Sequence, residues 1–163
     1  MVFLVIEAKA TLENVERLAL PEHHSFCLKV RSPDGMEEKE PVFISDSEEF
    51  DMSGSKGKAH FVMKWPESKQ ECSVNVTPIK NHTRPYIDAD DNEKWVPIAA
   101  FECRGIDIVQ WFPEGGYIVR STGGTTWTDV DLKEDWTEYC EKAEDSVGIY
   151  SIESRIVKHK PKH

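Results

Sequence analysis

The dominant period along this chain is two. Val2, Leu4 and Ile6 alternate with Phe3, Val5 and Glu7, and the alternation continues through Ala8 and Ala10 to Leu12. Successive side chains of a strand point to opposite faces, so this pattern predicts one long strand. Phe26, Leu28 and Val30 alternate with Cys27, Lys29 and Arg31 and predict a second. Shorter strands are predicted over 41–44, 59–64 and 73–79. After a polar stretch the style repeats over 95–103, 106–112, 116–120, 125–130 and 148–157, with Pro97 pushing the first of these toward an edge. Turn residues stand between them: Pro33-Asp34-Gly35, Ser53-Gly54-Ser55-Lys56-Gly57, Pro113-Glu114-Gly115-Gly116 and Gly123-Gly124. Many short strands punctuated in this way predict an all-β sandwich or barrel.

One segment breaks the period. Leu132, Trp136, Cys140 and Ala143 are spaced by four, four and three, which fits one face of a helix, so one short helix at most is expected near 132–143. Residues 80–94 are polar, acidic at their end and carry Pro85, and they predict a linker between a first half (1–79) and a second half (95–157). A faint echo joins the halves: Glu71-Cys72-Ser73-Val74-Asn75-Val76 resembles Glu144-Asp145-Ser146-Val147-Gly148-Ile149. It suggests two related β units in one body.

Composition narrows the classes. At 163 residues the chain has the size of one domain, and 39% hydrophobic with 31% charged residues is ordinary for a globular protein. The net charge of −10 repels phosphate backbones, so nucleic acid is not an expected partner. The one basic stretch is the tail, 158–163, expected to be solvated. No apolar run is long enough to span a membrane, and the N-terminal run stops at Glu7 without a basic lead. A cytoplasmic or nuclear monomer is the expectation. Cys27, Cys72, Cys103 and Cys140 are far apart and form no Cys-x-x-Cys pair, which predicts free, buried thiols in a reducing compartment.

Chemical motifs mostly fail on inspection. Gly54-Ser55-Lys56-Gly57-Lys58-Ala59 superficially resembles a phosphate loop, but its spacing is wrong and no helix follows. Asp88 to Glu93 starts like a calcium loop, yet Glu93 and Ala99 stand where glycine and a bidentate acid are needed. No Ser/His/Asp or Cys/His set is recognisable, and no catalytic residue is assigned. Trp65, Trp95, Trp111, Trp127 and Trp136 are expected to pack in the core. Trp111 beside Phe112, and Trp136 near Tyr139, are the candidates for a groove that faces a protein partner.

A family pattern emerges from Lys9-Ala10-Thr11-Leu12-Glu13-Asn14, Phe101-Glu102-Cys103-Arg104-Gly105, Trp127-Thr128-Asp129-Val130-Asp131-Leu132, Asp135-Trp136-Thr137-Glu138-Tyr139, Glu141-Lys142-Ala143 and Ser146-Val147-Gly148-Ile149-Tyr150. Together these resemble the eukaryotic CXXC-motif-containing zinc-binding protein family, a domain of unknown function. The resemblance implies an all-β fold of coiled, bifurcated antiparallel sheets in two pseudo-symmetric halves. It also implies zinc on two Cys-x-x-Cys knuckles in the first half. Here the knuckle positions read Ser32-Pro33-Asp34-Gly35 and Trp65-Pro66-Glu67-Ser68. Ser32, Gly35, Trp65 and Ser68 therefore stand at the four cysteine positions. Structural zinc needs four soft or borderline ligands, so no metal and no cofactor are expected. Trp65 is expected to pack between the two hairpin tips in place of the ion.

The expected function is a non-enzymatic interaction module for an unidentified protein partner. Its surface is expected on the second half, around Glu102, Arg104, Asp129 and Trp136. The alternative is a small-ligand-binding protein or enzyme with a pocket between the two β halves.

Overall fold

The computed structural model describes residues 1–53 and 57–160. The centre of the phosphate-loop look-alike (54–56) and the end of the basic tail (161–163) lie outside the described residues. Strands dominate: β1 Val2–Glu13, β2 Val15–Ala19, β3 Phe26–Arg31, β4 Glu38–Ile44, β5 Phe50–Asp51, β6 Lys58–Ala59, β7 Phe61–Lys64 and β8 Glu71–Val76. The linker supplies β9 Tyr86–Asp88, and the second half supplies β10 Val96–Arg104, β11 Asp107–Trp111, β12 Tyr117–Ser121, β13 Thr126–Val130, β14 Trp136–Cys140 and β15 Asp145–His159. A 3-10 turn, Ala89–Asp91, is the one helical element among the described residues.

The strands form antiparallel sheets ordered β14-β15-β1-β10-β8-β7, β11-β3-β4 and β13-β12-β2-β9, plus the small pair β5-β6. Their order carries a two-fold pattern. β1 pairs with the hairpin β15–β14, as β10 pairs with β8–β7. β2 pairs with the hairpin β12–β13, as β11 pairs with β3–β4. Each half lends its first two strands to the hairpins of the other. The sequence echo falls on equivalent strands, β8 and the start of β15.

β1 is the axis of this exchange. It pairs with β10 as far as Ala8 and with β15 as far as Glu13, so the sheet divides along its length. Register shifts at Ile6/Glu7 and Lys9/Thr11 coil it, and Asn14, at φ 53°, turns the chain into β2. Val5 and Ile6 point to opposite faces and both are fully buried, so both faces of β1 are covered. Phe101 of β10 packs edge-on against Phe26 of β3 at 5.2 Å and closes the centre.

Two expectations change. The segment near 132–143 contains no helix; Trp136–Cys140 is strand β14. Leu132 and Cys140 are buried as the spacing implies, but from a loop and a strand. The backbone of β14 is satisfied by pairing with 145–149 through a tight 141–144 turn, and that local hairpin outcompetes a charge-dense helix. The predicted linker 80–94 is docked rather than loose. Its β9 joins β2, and the Tyr86 ring lies under the guanidinium groups of Arg17 (3.9 Å) and Arg84 (5.3 Å). Asp88 and Asp91, the acids of the calcium look-alike, are held in ion pairs by those same arginines at 2.6 and 2.7 Å.

Candidate functional site: the paired hairpin tips

The β3–β4 and β7–β8 hairpins end side by side. The Glu67 N–H donates to Glu37 Oε1 at 2.9 Å, joining the two tips. All four positions matched to zinc cysteines lie here.

Ser32 closes the first tip. It is 3% exposed, its hydroxyl accepts the Glu37 N–H at 3.0 Å and donates to Asp34 Oδ1 at 2.6 Å. The Ser32 carbonyl accepts the Gly35 N–H at 2.9 Å, which sets Gly35 at φ +77°, a conformation natural to glycine. The Ser32 hydroxyl and the Met36 N–H hold the Asp34 carboxyl below its usual range. The tip is thus tied by hydrogen bonds.

Trp65 closes the second. Its indole is 2% exposed and its Nε1–H donates to the Gly105 carbonyl at 3.0 Å, anchoring the tip to the end of β10. Full burial of an aromatic of this size is a large apolar contribution, and its one polar atom is satisfied. Trp65 borders one cleft with Met36 and Glu37 of the first tip. Ser68 is exposed and its hydroxyl accepts the Gln70 N–H at 3.3 Å.

Cys72 is buried and free, and burial pushes its thiol up to about 11. His60 Nδ1 accepts the Val76 N–H at 2.8 Å. Among the described residues no three His, Cys, Asp or Glu side chains are grouped to hold a metal ion. All four cysteines are free and buried.

The two-fold pattern carries these tips onto a second pair, at the β12–β13 and β14–β15 turns. Ser121 repeats the backbone bonds of Ser32 and its hydroxyl's acceptance of a backbone N–H, but not the bond to an aspartate. Its carbonyl accepts the Gly124 N–H at 3.0 Å, its N–H donates to the Thr125 carbonyl at 2.8 Å, and its hydroxyl accepts the Thr125 N–H at 3.0 Å. Gly124 has φ +90°, matching Gly35. Ser121-x-x-Gly124 and Cys140-x-x-Ala143 thus take the places of Ser32-x-x-Gly35 and Trp65-x-x-Ser68. Cys140 is 1% exposed, with Sγ 3.2 Å from Thr125 Oγ1 and 3.5 Å from Ser121 Oγ. These hydroxyls, with the Ala143 and Lys142 N–H groups, bring its thiol down to about 7. Sequence reasoning missed this pair. The signal available was the shared Ser-x-x-Gly turn before a strand.

The four residues expected to form an interaction surface do not converge. Arg104 pairs with Glu102 at 3.1 Å on β10, level with Phe3 of β1. Trp136, half-buried and edge-on to Trp127 at 5.3 Å, is level with Leu12 through Ile149. Nine positions of β1, about 30 Å of strand, separate the two levels. Asp129 is exposed on the edge strand β13.

Comparison with known proteins agrees with this architecture. The family model described as CXXC motif containing zinc binding protein, eukaryotic, matches residues 5–157. The protein of that name from Bos taurus is 35% identical over 157 residues, covering 94% of this chain and 96% of the relative. Its Homo sapiens namesake is 33% identical over 159 residues, covering 95% and 98%. A solved structure titled as a hypothetical protein from Plasmodium falciparum superposes with a TM-score of 0.86 at 30% identity, covering 96% of this chain and all (100%) of the other. With a family match across almost its whole length and relatives above 30% identity, the chain belongs to the eukaryotic CXXC motif containing zinc binding protein family.

Proposed function

We propose that this protein is a non-enzymatic protein-interaction module whose zinc knuckles are degenerate and whose hairpin tips work without metal. The observation that carries the reading is Met36. It is 81% exposed at the first tip, over a cleft of about 530 Å³ bordered by Met63, Trp65 and Pro66. Glu37, Glu38, Lys39, Lys64 and Glu67 rim that cleft. An apolar centre with a charged rim is the anatomy of a protein interface, and methionine adapts to varied partner shapes. The tips supply this arrangement in place of the separated Glu102, Arg104, Asp129 and Trp136.

Non-enzymatic action is supported by what surrounds the one histidine–carboxylate pair at hydrogen-bond distance among the described residues. His23 Nδ1 and Asp46 Oδ1 are 2.7 Å apart. The adjacent Ser45 hydroxyl donates to the His23 backbone carbonyl, not to its ring, so it is not set up as a nucleophile. Four buried free thiols fit a reducing compartment such as the cytoplasm.

Affinity capture with the wild-type chain, Met36→Asp and Trp136→Ala tests the reading. A protein enriched over an unrelated acidic control, lost with Met36→Asp and kept with Trp136→Ala, is the expected result. No enrichment over the control, or capture indifferent to Met36→Asp, contradicts it.

A further inference from the structure

The β3–β4 and β7–β8 hairpins have a second end. Opposite their tips, at Phe26 of β3 and Val76 of β8, lies a cleft of about 250 Å³. Both halves build it, because β10 crosses behind it with Ile98 and Ala99, while Leu20 and Pro78 flank it. Most of the wall is apolar.

The polar groups of the cleft differ in how they are used. The Thr83 hydroxyl accepts the Ile79 N–H at 3.0 Å. His23 is bound to Asp46. His24 is not bound. Its ring lies edge-on to Phe26 at 4.8 Å and tilted against Tyr117 at 5.0 Å, and its nitrogens have no hydrogen-bond partner among the described residues. The ring is half-buried and its nitrogens are not sealed from solvent, so they are open to a bound molecule. Burial lowers the His24 imidazole to about 4, so near neutral pH it is uncharged and offers one N–H donor and one acceptor.

Charge and size select the occupant. The lining carries two carboxylates, Glu22 and Asp46, the latter bonded to His23. An anion is therefore disfavoured, as it is by the net charge of −10. The volume falls below the roughly 300–1,000 Å³ of drug-sized pockets, which suits one ring or two fused rings.

We propose that this cleft binds a small, uncharged, flat apolar molecule that seats against Phe26 and Val76 and hydrogen-bonds His24. The site is separate from the tip surface, so either reading can fail without the other. Indole, phenol and benzoate are the probes, each titrated into the ¹⁵N-labelled full chain and followed by amide shifts of Val76, Ile98 and Ala99. Indole and phenol are expected to give saturable shifts centred there, with benzoate binding at least about tenfold more weakly. Ala99→Leu abolishes the shifts, and His24→Phe weakens indole by about five- to tenfold, the value of one hydrogen bond. Amide dispersion reports whether each variant is folded. If Ala99→Leu is not, Val76→Phe at the partly exposed wall fills the same space. Absence of saturation by both neutral probes, binding unchanged in a folded filled variant, or benzoate binding as tightly as phenol overturns the proposal.

Discussion

The same pair of turns occurs twice in this molecule and is filled in two ways. In the first half the second turn carries Trp65, whose buried indole reaches the Gly105 carbonyl. In the second half the equivalent position is Cys140, a small side chain, and the opposing turn presses in instead. A Cβ added at Gly123 would lie 2.6 Å from Ala143 Cβ and 3.0 Å from Cys140 Sγ. Ser32 and Ser121 both close their turns by accepting a backbone N–H on the hydroxyl. The difference teaches that the paired turns can be closed by bulk or by close approach, provided the buried serine ties off the backbone.

The comparison breaks most sharply at Trp65. Trp65→Ala should cost about 3–5 kcal/mol, the usual loss for a buried tryptophan, seen as an earlier urea midpoint. Cys140→Ala should cost far less, because little volume is removed.

Grafting all four cysteines, with Ser32→Cys, Gly35→Cys, Trp65→Cys and Ser68→Cys in one chain, should create zinc binding where the wild type has none. At free zinc 100-fold above Kd the gain is about 2.7 kcal/mol, read as a chelator-sensitive rise in Tm. No zinc uptake by the folded variant would mean that these are not the matched positions.

Smaller effects separate the two serines from the glycine. Ser32→Ala and Ser121→Ala each leave a backbone N–H without its acceptor, at about 1–3 kcal/mol by denaturant titration. Gly123→Ala should cost about 1–3 kcal/mol by overpacking, while alanine replacing Thr122, on the exposed side of the same turn, should be close to neutral.

The last predicted effect is a pH slope. The His24 pKa falls from 6.5 to about 4 on folding, so the unfolded chain binds more protons between those values. Stability is therefore full above about pH 6.5 and declines as pH falls toward 4, by less than about 1.4 kcal/mol per unit because the ring is partly exposed. His23, raised by Asp46, contributes in the opposite sense, favouring the fold below its raised pKa. His24→Phe should flatten the decline.

Legibility in the sequence followed the period. β1, β3, β10 and β12 were readable because they bury alternate residues or run continuously apolar. β2 was not: only Val15 and Leu18 are buried, a spacing of three, and it is a strand because β12 and β9 pair with it on both sides. β14 misled for the same reason, its buried residues falling by chance at helical spacing. The family and the burial of Trp65 were legible in the sequence. The second turn pair was hidden because its equivalence depends on strand exchange between halves. The cleft at His24 was equally hidden, since its walls come from five separate stretches of chain.

The central claim is that the first-half tips stand without metal. Elemental analysis of the purified wild-type chain, paired with thermal unfolding with and without a strong chelator, tests it most directly. The expected result is zinc far below one equivalent and a Tm that the chelator leaves unchanged. One equivalent of zinc, with a Tm that drops on chelation, would contradict it.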